Sequence, residues 1–322
     1  DLICDNTGTC NMAGYQEERD GSEHSVSILF TRSAGEQAPV TAQLALLPDE
    51  LGNKTAEIIL NGQSLGTIQN FSEEGNAKLS EKQTTELLTA LKGNASIEVI
   101  FGEFKEKVSD KGAAAAMLKM DEFQQRLNTP SALIHQGQEK HAVLAPQAAP
   151  KIEAVSVNNR KTTELKRGEK QFDTVLALLR KSNGTNEDAE NYCYELHKDD
   201  VWNKQITLYP LTKGKVLAEA ICSSSAYNYT NYYAVLDGKL SKVEQVLENR
   251  YNYADYDKNT HILKIGGAFK ARGLGDCWHG QEAVWNGKTF IRTKEYPSGS
   301  CKGFPGEAWG GLPIFVSEMN VK

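Results

Sequence analysis

Six cysteines are the residues of this 322-residue chain with the clearest chemistry. They are Cys4, Cys10, Cys193, Cys222, Cys277 and Cys301. Their number is even, and none stands in a C-x-x-C pair or in a Cys/His cluster of the kind that binds zinc. We interpret them as disulfides and favour the sequential pairs Cys4–Cys10, Cys193–Cys222 and Cys277–Cys301 over the other pairings. Disulfides persist in oxidising compartments, so the cysteines predict a location outside the cytosol.

A redox-active pair is the functional alternative to structural cross-links. Cys4 and Cys10 lack the helix N-terminus and the neighbouring bases that lower the pKa of a thiol. The sequence therefore favours cross-links.

Acid–base chemistry has one local candidate, His279, which follows Trp278 and lies near Glu282. A surface turn explains the same residues. The six histidines show no H-x-x-x-H spacing, and the chain has no G-x-S-x-G nucleophile elbow. We predict no catalytic residue and no cofactor from these patterns.

Metal binding is suggested by Asp255-x-Asp257-x-Asn259, which matches the start of a calcium loop. Thr260 stands where the turn glycine belongs, and Gly266 stands where the bidentate glutamate belongs. We therefore predict a turn between two strands and no metal site.

Aromatic residues form the main candidate binding surface. Ten of the twelve tyrosines lie between Tyr192 and Tyr256. Exposed rings can stack on sugars or anchor a protein partner, whereas buried rings would fill the core of a small sheet. The predicted binding residues are Tyr227, Tyr229, Tyr232, Tyr233, Trp278, His279 and Trp309.

The first part of the chain alternates strand and helix patterns. Asn61-Gly62 between apolar stretches predicts a type I′ hairpin. Ser80 with Gln83 predicts a capped helix that ends at Gly93. A second helix is predicted from a cap at Ser109 or Asp110 to about Leu127.

The later part begins with a helix over 169–181 and then consists mostly of predicted strands. This order predicts an α+β fold of two domains, each a mainly antiparallel sheet with one or two packed helices. The predicted parts are a β-rich domain at 1–128, a linker at 129–150 and an aromatic-rich domain at 151–322. The linker contains apolar stretches that could pair with a domain edge.

Charge and hydropathy exclude two classes of partner. The net charge is −6, and acidic residues outnumber basic ones in residues 1–150, which argues against nucleic acid. No apolar run is long enough to span a membrane. The polar start at Asp1 is typical of a chain after removal of a signal peptide. Since the first cysteine is Cys4, we expect no lipid anchor there.

Several ordered segments carry a family resemblance. They are Cys4–Cys10 with Ala13–Tyr15, Gly112–Leu118 with Met120–Glu122, Tyr256–Lys258, Lys270–Cys277, Trp285–Gly287 with Phe290, Cys301–Gly303 and Trp309–Pro313. Together they resemble one bacterial family, known as domain of unknown function family 1176. The front half is also distantly similar to invasion-associated locus B proteins. The first resemblance implies export to a Gram-negative envelope, and it implies no reaction.

Two functions are consistent with the sequence. The first is a periplasmic binding or interaction protein whose aromatic later half contacts an envelope protein or a glycan. The second is a cell-envelope hydrolase, acting on glycan or peptidoglycan, whose acidic residues come from distant positions. Sequence alone gives neither the ligand nor the oligomeric state.

Overall fold

A computed structural model describes residues 1–17, 24–47, 55–187, 189, 192–199, 204–248 and 251–322. The chain divides into two units. The first unit comprises Asp1–Ala149, Ala271–Trp278 and Tyr296–Val316, and the second comprises Pro150–Lys270, His279–Glu295 and Ser317–Lys322.

The helices and strands are numbered in chain order. Within residues 1–149 they are β1 (Leu2–Cys4), β2 (Cys10–Tyr15), β3 (Val26–Arg32), β4 (Val40–Leu46), β5 (Ala56–Leu60), β6 (Gln63–Ile68), β7 (Asn76–Lys78), α1 (Glu81–Ala90), β8 (Ile97–Phe101), β9 (Phe104–Val108) and α2 (Ala113–Phe123). They continue with β10 (Lys151–Ala154), β11 (Thr163–Lys166), α3 (Lys170–Asn183), α4 (Tyr194–His197), β12 (Gln205–Pro210), β13 (Lys215–Ser224), β14 (Tyr229–Asp237), β15 (Val243–Val246), β16 (Tyr253–Tyr256), β17 (Leu263–Lys270), β18 (Trp278–Trp285), β19 (Phe290–Pro297), β20 (Phe315–Val316) and β21 (Glu318–Val321).

The fold class is α+β, which confirms the prediction. The first unit contains a sheet in the order β1-β2-β3-β4-β7 and a sheet in the order β6-β5-β8-β9. Alternate residues of β3, such as Ile28 and Phe30, enter the main core with Leu87 of α1 and Met117 of α2. The opposite face of the first sheet is covered by Phe304 and other residues of the later segment.

Two local predictions in the first unit are confirmed. Ser80 caps α1, and both hydrogen bonds of the capping box with Gln83 are present. Asn61 and Gly62 both have positive φ, 51° and 81°, between β5 and β6, as a type I′ turn requires.

The second predicted helix is wrong at both ends. Its N-cap is Gly112, because the Asp110 carboxylate instead accepts the backbone N–H of Ala95. The helix ends at Phe123 and does not reach Leu127, because Gln125 takes a left-handed conformation with φ 56°.

A buried arginine just after the helix holds the surrounding loops together through its hydrogen bonds. Arg126 is fully buried, and its guanidinium donates to the Gln124 side chain at 2.9 Å and to the Ser131 hydroxyl at 3.1 Å. It also donates to the carbonyl of Gly35 at 2.5 Å. Burial lowers the pKa of Arg126, while the nearby Asp121 carboxylate raises it.

All but the last residue of the predicted linker at 129–150, namely 129–149, belong to the first unit. Asp121 accepts the backbone N–H groups of Leu133 and Ile134, and Leu144 donates to the carbonyl of Gln124. The segment has no periodic pattern because its backbone is satisfied by irregular bonds to backbone and side-chain groups, and not by a helix or sheet. The division also differs from a continuous domain at 151–322, since 271–278 and 296–316 lie in the first unit.

The second unit has three layers. Helices α3 and α4 pack on one face of the sheet β11-β12-β13-β14-β15 through residues such as Phe172, Leu196 and Tyr232. Strands β16, β17, β18 and β19 follow one another in a further sheet. Residues of that sheet, Ile265 and Trp285 among them, pack on the other face with Tyr233. The central sheet is therefore buried on both sides.

Three disulfides join Cys4 to Cys10, Cys193 to Cys222 and Cys277 to Cys301. These are the sequential pairs, and they indicate an oxidising, extracytoplasmic compartment. Within the described part of the chain, no helix combines the length and the apolar character needed to cross a membrane.

Replacing Arg126 with methionine should release the segment 129–149. The substitution leaves buried carbonyls unpaired, so we expect a loss of about 3 kcal/mol in the free energy of unfolding. Urea denaturation measures this loss, and limited proteolysis should cut within 135–149 before any other site. Arg160→Met, at an exposed arginine, is the control. Equal stability of the two variants would contradict this role.

Candidate functional site

The base of the β13–β14 hairpin buries two of the predicted binding residues. Tyr232 and Tyr233 are both 0% exposed. They point to opposite faces of β14, because successive side chains alternate along a strand. The Tyr232 hydroxyl lies 2.8 Å from the Ser182 hydroxyl of α3, and the Tyr233 hydroxyl donates to the Glu219 carboxylate at 2.5 Å. Both rings are therefore enclosed by the protein and offer no exposed face.

The tip of the same hairpin exposes the other two tyrosines. Tyr227 is 59% exposed and Tyr229 is 47% exposed. We call residues 223–230 the tyrosine tip. It contains three serines, two tyrosines, one asparagine, one threonine and one alanine, and no charged residue occurs between Glu219 and Asp237.

Asn228 fastens the tyrosine tip to β17. Its amide nitrogen donates to the carbonyl of Lys270, and its amide oxygen accepts the Lys270 N–H, both at 2.8 Å. This pair of bonds imitates one step of a β-ladder. Within the tip, Ser225 N–H donates to the Asn228 carbonyl at 2.8 Å. The two exposed tyrosines flank a residue that is held on both sides.

A disulfide holds the hairpin next to its tip. The register of β13 and β14 shifts between Ile221 and Ser223, so Cys222 lies at a bulge. Cys222 is bonded to Cys193, which precedes α4. The tip therefore projects from a base that is covalently fixed.

Glu219 is the centre of a partly buried polar cluster in the second unit. It lies opposite Tyr233 in the β13–β14 register, and the Tyr209 hydroxyl donates to its other oxygen at 3.4 Å. Burial raises the pKa of Glu219, although the hydrogen bonds from Tyr233, Tyr209 and Asn231 lower it. Burial and the nearby Glu219 carboxylate also raise the pKa of Tyr233.

A cleft of about 400 Å³ opens near this cluster, and we call it the polar cleft. Its polar and aromatic lining consists of Gln245, Glu248, Tyr251, Gln281, Phe290 and Arg292. The Tyr251 ring meets the Tyr233 ring edge to face, with 6.3 Å between centroids.

His279 is paired with a residue of the neighbouring strand. Its Nε2 lies 3.1 Å from the Glu295 carboxylate, which also accepts a hydrogen bond from Arg292. The sequence suggested Glu282 as the partner, but that residue contributes its carbonyl to the Thr293 hydroxyl. Of this pair, the Glu295 side chain is mostly buried, whereas the His279 side chain is 45% exposed.

The two predicted tryptophans lie in the first unit and hold loops. Trp278 donates through its indole to the carbonyl of Gly275 at 2.5 Å. Trp309 donates to the Ser27 hydroxyl at 2.9 Å. The buried Asp276 between these loops accepts hydrogen bonds from Arg272 and from the Gly303 N–H. Both tryptophans thus belong to the first unit, whereas the tyrosine tip belongs to the second.

Two groups with metal-ligand chemistry are already occupied by the protein. Asp276, Cys277 and Cys301 offer atoms within 4.8 Å of one another, but the two sulfurs are bonded to each other. In the calcium-like turn, Asp257 accepts hydrogen bonds from Thr260 and pairs with the Lys264 ammonium at 2.9 Å. The Lys264 ammonium therefore lies beside the Asp257 carboxylate, in the place that a bound cation would take.

Sequence patterns did not identify three residues that organise the site. Glu219 lies in a strand whose sequence shows only an alternation of apolar residues. Its partners, Tyr209 and Tyr233, are distant in the chain. Asn228 stands between two tyrosines, and an asparagine at such a position is typical of a turn, which was the one signal in the sequence. Gln281 is 5% exposed in β18, and nothing in its local sequence marks it.

Replacing Glu219 with glutamine should change how stability depends on pH. Because burial raises the pKa of Glu219 in the folded state, its contribution is fully present below the ordinary carboxyl pKa, 4.5, and is lost as pH rises through the folded value. We therefore expect Glu219→Gln to gain stability relative to the parent protein as pH rises from about 4.5 to 8. Urea unfolding across this range measures the gain, with Glu164→Gln as a matched surface control. A difference that does not vary with pH would refute the assignment.

Comparison with known proteins gives one match. No curated protein and no solved structure matches the chain. The profile of a family described as protein of unknown function, DUF1176, matches residues 1–314. The matched residues include the six cysteines, the tyrosine tip and the lining of the polar cleft, and they stop before 315–322. The chain is a member of the DUF1176 family.

Proposed function

We propose that this protein is a periplasmic binding protein that recognises a partner protein of the cell envelope through the tyrosine tip. The observation that carries the proposal is the exposure of Tyr227 and Tyr229 on either side of Asn228, which is fixed to Lys270. The three disulfides support a location in an oxidising compartment.

The composition of the tyrosine tip favours a protein surface as its partner. Tyrosine supplies a large contact area with few rotatable bonds, and serine and asparagine supply adaptable hydrogen bonds. Binding costs less when such rings are held in place before the partner arrives. Because the tip carries no charge, we expect its association to depend little on salt.

A cell-envelope hydrolase is the second candidate function. Its support is the raised pKa of Glu219, a property of general acids. Tyr233 and Tyr209 occupy the two carboxylate oxygens, which argues for a structural carboxyl. Loss of peptidoglycan hydrolysis in Glu219→Gln, with the fold retained, would favour the hydrolase over the binding protein.

Photo-crosslinking tests the proposed partner class. A benzophenone amino acid at position 227 of the full chain, expressed with its envelope, should give a covalent adduct with a discrete protein. The purified partner should then bind the full chain in biolayer interferometry. Tyr227→Ser and Tyr229→Ser should each weaken binding by about tenfold or more, as for aromatic hot spots.

Tyr194→Ser is the matched control, since Tyr194 is 50% exposed outside the tip. It should leave the affinity unchanged. Adducts with glycan instead of protein, or equal losses in Tyr194→Ser and the tip variants, would overturn the proposal.

A further inference from the structure

We propose that the polar cleft is a second site, beyond the tyrosine tip, and that it binds a short neutral saccharide. All its lining residues belong to the second unit, and none belongs to the tip. The volume of about 400 Å³ lies within the range of small-molecule sites, about 300–1,000 Å³.

The charges of the cleft select a neutral ligand. Among the described residues that line it, Glu248 and Arg292 are charged, and their charges are opposite. Arg292 also donates to the Glu295 carboxylate, which lies outside the lining. An anionic ligand such as a nucleotide would need an excess of positive charge, and the described lining residues carry no such excess.

The hydrogen-bonding groups of the cleft match hydroxyl groups. A hydroxyl both donates and accepts, and each glutamine amide does the same. The Gln245 amide nitrogen donates to the Thr289 hydroxyl at 2.6 Å, which fixes this amide in the lining. Gln281, a second glutamine of the lining, is 5% exposed.

Two fixed aromatic rings complete the site. Tyr251 is held by Tyr233, and Phe290 packs at 5.4 Å between ring centroids against the fully buried Trp285. Aromatic rings offer flat apolar faces on which the C–H face of a sugar ring can lie. Fixed rings beside amides and an arginine give the mixture of apolar and polar contacts that a saccharide requires.

Calorimetric titration of the full chain with glucose, maltose, N-acetylglucosamine and its β-1,4-linked disaccharide tests the proposal. Alanine and glutamine are included as zwitterionic ligands that Arg292 and Glu248 would instead bind. We expect at least one saccharide to bind and neither amino acid to bind. Gln281→Leu and Arg292→Met should each weaken saccharide binding by about tenfold.

Arg292→Met guards against misfolding, because the Arg292 side chain is half exposed, whereas Gln281 is buried. Gln205→Leu, at an exposed glutamine of β12, and Tyr229→Ser in the tip should bind saccharide normally. Binding of amino acids alone, no binding of any saccharide at millimolar concentration, or binding unaffected by both cleft variants would overturn the proposal. Since Tyr229→Ser disables only the tip, failure of the cleft and failure of the tip remain distinguishable.

Discussion

Burial of the β13–β14 hairpin on both faces is the constraint on which the second unit depends. Helices α3 and α4 cover one face, and the sheet β16 to β19 covers the other. A strand in this position must place apolar or hydrogen-bonded groups on both sides. Tyr232 and Tyr233 satisfy this requirement, because each fills a core with its ring and gives its hydroxyl to a fixed partner, Ser182 or Glu219.

The same constraint accounts for the exposed residues at the tip. The hairpin extends beyond the layers that cover its base, so Tyr227 and Tyr229 lack a core to enter. Left free, such a turn would lose much of its binding energy to ordering. Asn228 and the Cys193–Cys222 disulfide restrict it before any partner arrives. One run of tyrosines therefore has two roles. Tyr232 and Tyr233 in the base are structural, and Tyr227 and Tyr229 at the tip are exposed for contact.

Apart from the sequential disulfides, features with local causes were predictable from the sequence, and those made by distant residues were not. The Ser80 capping box and the Asn61-Gly62 turn depend on residues within a few positions, and both are present. The order of the segment 129–149 depends on Arg126, whose partners include Gly35 far back in the chain. The partner of His279 is Glu295 on the adjacent strand, a pairing that spacing does not reveal. Alternation along β14 could show that Tyr232 and Tyr233 lie on opposite faces, but not that both faces are covered.

Hydrogen–deuterium exchange of the full chain tests most directly whether the tyrosine tip is held in place. The amides of Ser225 and Lys270 donate to the Asn228 carbonyl and the Asn228 side chain. We predict that both are protected well above the rates of an unstructured peptide, and that Asn228→Ala removes the protection of Lys270 while the amides of β14 stay protected. Exchange of Ser225 and Lys270 at unstructured rates in the parent protein would contradict the account.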